Sequence, residues 1–129
     1  MLKGGDTVFM PKHADATPHL WVILTNPNVD GLIAIVNITS LNTQPDTTTI
    51  LQVGDHPFIR HASVVLYSDA RIAPLLPIEQ GIKMNSGLFR QLDPCSDELL
   101  KKICNGIFVS DFTPNKVIEF CDSAWNSPG

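Results

Sequence analysis

Two patterns of hydrophobic and polar residues divide the chain. Over roughly the first 75 residues, apolar runs of strand length alternate with polar loops rich in turn-forming residues, which is typical of β-strands joined by turns. The predicted strands are 6–10 (DTVFM), 19–24 (HLWVIL), 32–40 (LIAIVNITS), 50–53 (ILQV) and 62–72 (ASVVLYSDARI). The segment NPNVDG at 26–31 has turn chemistry throughout and makes the second and third strands a β-hairpin.

From residue 93 onward, apolar residues recur at helical spacing. The apolar positions are Leu99, Leu100, Ile103, Ile107 and Phe108. Because the charged residues between them face the opposite way, the sequence predicts an amphipathic helix. Either Asp93-Pro94 or Ser96 marks its start, and a second helix is predicted at 113–121 with Thr113 as its N-cap.

Strands followed by helices predict an α+β protein that is mainly β. We expect a small barrel of about five to six strands, closed at one end by one or two C-terminal helices. Residues 1–129 are predicted to form a single domain, with the barrel at 4–90, the helical segment at 93–121 and a tail at 122–129. Trp125 in that tail is expected to dock on the chain itself or on a second subunit.

Composition and charge argue against some classes of nucleic-acid-binding protein and leave others open. Of the 129 residues, 43% are hydrophobic and 17% are charged, and the net charge is −4. This charge argues against a protein that grips duplex DNA without sequence preference. The stretch 56–90 nevertheless has a mild excess of basic residues and histidines, which suits a single phosphate or a short single strand.

Cysteine usage and the lengths of the apolar runs indicate the compartment. Cys95, Cys104 and Cys121 form no CxxC pair, and no apolar leader follows Met1, which predicts a reduced, cytoplasmic protein with buried thiols. An alternative is a reactive thiol at Cys95, because a helix N-terminus lowers thiol pKa. The apolar runs are far shorter than the roughly 20 residues that cross a bilayer, so no membrane partner is expected.

The densest group of chemically active side chains lies in GDHPFIRHASVVLY, residues 54–67. Its composition is typical of a turn that feeds a strand and carries ordinary polar residues. The alternative is a phosphate or RNA site, because two histidines and an arginine lie within six residues, histidine titrates near neutrality and the arginine fork matches phosphate. The histidines have neither helical nor strand pair spacing, so no metal site and no cofactor are predicted.

Several short motifs resemble the MazF/PemK-like toxins of bacterial toxin–antitoxin systems. They are GGDTVFMP, WVIL, IVNITS and VVLYSDARI, which follow one another over residues 4–72. The resemblance implies an SH3-like barrel, a homodimer, a cognate antitoxin protein and metal-independent endoribonuclease activity on single-stranded RNA. The family's catalytic pair is an arginine ahead of the second strand and the threonine of Ile-Thr-Ser. That threonine matches Thr39, whereas His19 stands nearest to the position of the arginine.

Cleavage of RNA through its own 2′-hydroxyl needs a base, an acid and a cation for the phosphate oxygens, and none of them has to be a metal. The residues predicted to be catalytic are His19, Thr39, His56 and Arg60. The residues predicted to bind substrate are Ser40, His61, Ser63, Tyr67 and Arg71. The alternative is a non-catalytic barrel that binds protein or nucleic acid after losing the catalytic arginine. The nuclease hypothesis requires Thr39 to share a groove with the histidines or arginines.

Overall fold

The computed structural model describes residues 1–13, 16–84 and 87–126. The strands are β1 (Thr7–Pro11), β2 (Pro18–Ile23), β3 (Leu32–Ser40), β4 (Ile50–Leu51), β5 (Ser63–Pro74) and β6 (Arg90–Leu92). The helices are α1 (Leu75–Lys83), α2 (Asp97–Val109) and α3 (Asn115–Asn126). Every strand pair is antiparallel, in the order β4-β5-β3-β2-β1-β6, and the sheet curls into a half-barrel. The predicted α+β, mainly β class is confirmed.

The central strands are mostly apolar on both faces because helices cover both faces of the sheet. Successive side chains of a strand point to opposite faces. Leu20 and Val22 of β2 therefore belong to the core under α2 and α3, whereas Trp21 and Ile23 belong to the core under α1. Among the helices of the described residues, none is long and apolar enough to cross a bilayer.

Helix α1 and strand β6 are absent from the predicted elements. In the sequence, Pro74 and Pro77 predict a break in regular structure, but Pro74 is the N-cap of α1 and Pro77 lies in its first turn. The first N–H groups of a helix have no partner within the helix, so proline is tolerated there. Strand β6 has only three residues, too few to show an alternating pattern.

The predicted start of α2 is settled in favour of Ser96, whose Oγ accepts the Leu99 N–H at 3.1 Å. The predicted cap of the next helix is wrong, because the buried Thr113 Oγ1 has no hydrogen-bond partner among the described residues. Helix α3 runs on to Asn126, so most of the predicted tail is helical, and residues 127–129 lie outside the described residues. Trp125 packs edge-on against Phe108 of the same chain, with ring centroids 5.7 Å apart.

A close contact between β5 and α2 fixes how the helices close the sheet. The buried Tyr67 hydroxyl donates to the Ile103 carbonyl at 2.8 Å and lies 2.8 Å from Thr49 Oγ1. The tyrosine ring fits because position 106 of α2 is glycine, and a Cβ there would overlap the Tyr67 hydroxyl. A glycine in mid-helix costs helix propensity, and this contact accounts for it.

Gly106→Ala is expected to lower the free energy of unfolding by about 1–3 kcal/mol, because the new methyl overlaps the Tyr67 hydroxyl and must displace it. Helix propensity alone would give the opposite sign, a gain of about 1 kcal/mol. Urea unfolding followed by circular dichroism measures the change. The control is Asn105→Ala at the exposed neighbouring position, which is expected to be neutral or stabilising. A Gly106→Ala protein as stable as wild type would contradict the proposed contact.

Candidate functional site

A groove of about 900 Å³ lies where β2 begins, β3 ends and β5 is about to start. Its walls come from four separate parts of the chain, at 18–20, 38–40, 56–63 and 91–94. The predicted site residues that line it are His19, Thr39, Ser40, His56, Arg60, His61 and Ser63. These residues all border one groove, but alternation along the strands puts the His19 and Thr39 side chains on the α1 face of the sheet and the Ser40 side chain on the opposite face.

His19 and Thr39 are cross-strand neighbours. Leu20 pairs with Ile38 in the antiparallel β2–β3 ladder, so His19 and Thr39 are the next opposed positions along the same two strands. Directly opposed side chains share a face of the sheet, with Cβ atoms roughly 4.5–5.5 Å apart. The two positions that the family resemblance singles out are thus adjacent.

The surroundings of His19 favour its neutral form. Burial lowers the pKa of His19 below 6.5, and the Lys12 ammonium lowers it further. A hydrogen bond with the Ile38 main chain and the Asp69 carboxylate act in the opposite direction without reversing the shift. An imidazole that is neutral at pH 7 can accept a proton, as a general base must.

His61 forms a side-chain pair with Ser40 at the other side of the groove. The His61 Nε2 lies 2.7 Å from Ser40 Oγ, and His61 is exposed. Ser63 is buried opposite Ser40 in the β3–β5 ladder, and its Oγ donates to the His61 carbonyl at 2.9 Å. Ser63 therefore fixes the main chain of His61, whereas the imidazole and the Ser40 hydroxyl face the groove.

His56 has both ring nitrogens engaged by main-chain groups. Its Nδ1 accepts the Phe58 N–H at 3.0 Å, and its Nε2 lies 2.6 Å from the Asp93 carbonyl. Because a carbonyl can only accept, Nε2 carries the proton and the ring is the neutral tautomer. His56 is 3% exposed and ties the 56–59 turn to the segment before α2. In this geometry it has no nitrogen free for proton transfer.

Two predicted substrate-binding residues lie away from the groove. Tyr67 is fully buried in the core under α2, where its hydroxyl serves the helix contact described above, so this prediction is corrected. The Arg71 guanidinium stacks over the Trp21 ring, 4.8 Å from its centroid, and donates to the Lys12 carbonyl at 3.2 Å. Arg71 therefore packs on the α1 face of the sheet and does not line the groove.

A polar network near His19 is absent from the predicted site. Asp69 forms an ion pair with Lys12 and accepts from the Asn37 amide at 3.0 Å. A bulge brings Asp69 to Asn37, because Asn37 pairs with Leu66 whereas Ile35 pairs with Arg71. Burial alone would raise the pKa of Asp69, but the bonds to Lys12 and Asn37 hold it below 3.8. Asn37 at the centre of the apolar run LIAIVNITS is the signal that could have revealed this network, since buried amides require partners.

The cysteines lie in or against the core under α2 and α3. Burial raises the pKa of Cys95 to about 11, which argues against the alternative of a reactive thiol at the start of α2. Burial likewise raises the pKa of Cys104 and of Cys121 to about 12. All three are unpaired, and no group of three or more His, Cys, Asp or Glu in the described parts of the chain is arranged to hold a metal ion.

No protein-family model matches the sequence, and no curated protein matches it either.

His19→Gln is expected to weaken the pH dependence of stability between pH 7.5 and pH 5. The pKa of His19 is lowered in the folded protein, so its stabilising contribution is complete above the unfolded value of 6.5 and is lost as the pH falls from there towards the folded pKa. Urea unfolding at both pH values measures the loss, which should be smaller in His19→Gln than in wild type. Equal losses in His19→Gln and in the control, His13→Gln at an exposed position, would contradict this account.

The folded protein is expected to react with iodoacetamide at pH 8 on the order of a hundredfold more slowly than the urea-unfolded chain. The raised pKa of Cys95, about 11 against an ordinary 9.0, removes most of the reactive thiolate, and the half-buried position of the side chain limits access further. Mass spectrometry over time gives the rate at each cysteine. Rapid alkylation of folded Cys95 would show that the helix N-terminus outweighs burial.

Proposed function

We propose that the protein is a metal-independent endoribonuclease, similar to the MazF/PemK-like toxins, that cleaves single-stranded RNA in this groove. One observation carries the proposal: residues far apart in sequence meet at one groove and include the types that such cleavage requires. They are His19, Thr39, Ser40, Arg60 and His61. Charge stabilisation and proton transfer by such groups are sufficient for this chemistry without a metal.

His19 is the proposed general base. Its lowered pKa keeps the ring neutral, so it can take the proton of the ribose 2′-hydroxyl. The 2′-oxygen then bonds to phosphorus as the bond from phosphorus to the 5′-oxygen breaks. The products are a 2′,3′-cyclic phosphate and a free 5′-hydroxyl, with no water consumed in this step.

His61 is the proposed general acid, although the sequence predicts it to bind substrate and predicts His56 to be catalytic. His61 faces the groove and its Nε2 is paired only with the Ser40 hydroxyl among the described residues, whereas both nitrogens of His56 are held by the main chain. His61 in its protonated form donates to the departing 5′-oxygen, and Ser40 orients the ring. This exchange keeps two histidines for the two proton transfers. Because His19 and the Ser40–His61 pair lie on opposite faces of the sheet, the proposal requires the scissile phosphodiester to sit between them at the ends of β2 and β3.

Arg60 is the proposed cation for the phosphate. It is exposed at the groove and has no hydrogen-bond or ion-pair partner within the described ranges, so its guanidinium is available for the non-bridging oxygens. Thr39, beside His19, supplies a further hydrogen bond. A homodimer and an antitoxin partner follow from the family resemblance and stay predictions.

A non-catalytic binding module is the second candidate. It is favoured by the replacement of the family's arginine with His19, since a histidine of lowered pKa carries no charge for the phosphate at pH 7. It is also favoured by the placement of His19 and of the Ser40–His61 pair on opposite faces of the sheet. On this hypothesis the same groove binds RNA and leaves it intact.

Purified protein is expected to cleave a long single-stranded RNA in the presence of EDTA and to leave cyclic phosphate ends, as detected by gel electrophoresis and end-specific enzymatic treatment. His19→Ala and His61→Ala should each lower the rate by about 10²- to 10⁴-fold, the range for a lost acid or base. His56→Gln reports on stability as well, so its rate is read together with its circular dichroism. The matched control is His13→Ala, which does not alter a groove residue and should cleave as wild type.

Two results would contradict the nuclease. RNA that is bound but left intact by the wild-type protein would favour the binding module. Cleavage that survives both His19→Ala and His61→Ala would place the chemistry elsewhere or in a contaminant.

A further inference from the structure

An aromatic surface flanked by arginines borders the groove and has no part in the proposed proton transfers. Phe58 lines the groove and is 39% exposed, and its ring centroid lies 5.3 Å from that of Phe9. The Arg90 guanidinium lies over the Phe9 ring, 5.1 Å from its centroid. Arg60 follows Phe58 by two residues. Phe9, Phe58, Arg60 and Arg90 are together named the Phe58 platform.

The main chain holds Phe58 in place although its ring is exposed. The Phe58 N–H donates to His56 Nδ1, and the Ile59 N–H donates to the His56 carbonyl at 2.9 Å. Both neighbours of this turn, His56 and Ile59, are buried. The main chain that carries the exposed ring is thus fixed, and the Phe9 ring packs against the Phe58 ring, so less entropy is lost when a ligand binds there.

The chemistry of the platform selects a flat, apolar ligand with negative charges beside it. Aromatic side chains stack on the free π-faces of unpaired bases, and arginine adds charge and its own stacking. The platform has two arginines in a protein of net charge −4, so this surface is locally positive. Asp93 is the acidic residue of the groove lining, and the phosphates are expected along the arginines and away from its wall.

We propose that the Phe58 platform is a base-binding subsite for single-stranded RNA, in which a nucleobase stacks on Phe58 while Arg60 and Arg90 contact the neighbouring phosphates. The choice of RNA rests on the proposed function. The subsite holds the RNA strand across the groove, so that the phosphodiester next to the stacked base lies near Arg60. Paired bases have no free face for Phe58, and duplex RNA is therefore excluded.

The test measures binding separately from cleavage. A fluorescein-labelled RNA with 2′-O-methyl groups cannot be cut through its 2′-oxygen, so fluorescence anisotropy gives the Kd of the wild-type protein directly. Phe58→Ala is expected to raise the Kd about 5- to 150-fold, the range for loss of one stacked base, and Phe58→Trp to keep it near the wild-type value. The matched control is Phe112→Ala, because Phe112 is 45% exposed and does not line the groove.

Two further probes distinguish stacking from simple attraction of charge. A single abasic nucleotide placed at the stacked position should weaken binding to wild type and have no further effect on Phe58→Ala. Arg60→Gln and Arg90→Gln should each reduce the slope of log K against log salt by about 0.7, the value for one phosphate contact on a single strand.

The outcomes separate this proposal from the nuclease. Phe58→Ala binding as wild type, equal competition by duplex RNA, or no binding of RNA at all would each overturn the subsite. Weaker binding by Phe58→Ala in a wild-type protein that cuts no RNA would support the subsite and overturn the nuclease. If the wild-type protein cuts RNA and Phe58→Ala changes neither binding nor the cleavage rate, the result would support the nuclease and overturn the subsite.

Discussion

The fit of Tyr67 against position 106 is the constraint on which the closed form of this fold depends. The tyrosine hydroxyl joins β5 to α2 and also contacts Thr49 in the loop before β4, so one buried group links three parts of the chain. Burial raises the pKa of Tyr67, which keeps the hydroxyl protonated as a donor to the Ile103 carbonyl. A phenolic oxygen without these partners would cost about 1–3 kcal/mol in the core. The glycine of α2 is therefore a requirement of packing, even though it weakens the helix.

The end of α2 is held by the same loop. The Asp46 carboxylate is buried and accepts hydrogen bonds from Ser110 Oγ at 2.7 Å and from the main chain and hydroxyl of Thr48. Ser110 is the C-cap of α2. The loop before β4 thus contacts α2 at two places, through Thr49 in the middle of the helix and through Asp46 at its end. This attachment positions the helix whose leading segment, at Asp93, meets His56 at the groove.

Local sequence predicts most of the strands and helices, but it does not predict the roles of all the site residues. Strands β1, β2, β3 and β5 are long apolar or alternating runs, and the pattern places them within two residues of their ends. Helix α1 was missed because two prolines resemble a break, although both lie where a helix tolerates them. Local sequence does not predict the roles of His56 and Tyr67, because these roles depend on partners that are distant in sequence. Their partners are Asp93 and Ile103, each more than 30 residues away.

The convergence at the groove follows partly from the strand order. The β2–β3 hairpin was predicted, and it is this hairpin that sets His19 opposite Thr39. The pairing of β3 with β5 then brings His61 to Ser40, and no local pattern gives that pairing. Lys12 and Asp69 were missed for the same reason, because they are separated by the whole sheet in sequence and meet through a bulge.

In the proposed nuclease, His19 stands where the family has an arginine, and the positive charge for the phosphate therefore has to come from a second residue. An arginine beside the threonine supplies permanent charge, but it cannot accept a proton at neutral pH. His19 is neutral because burial and Lys12 lower its pKa, so it can act as a base and cannot supply charge. The charge must then come from elsewhere in the groove, and Arg60 is the arginine of the lining. The low pKa of His19 and the availability of Arg60 are therefore linked, since either change alone would leave the groove without a base or without a cation.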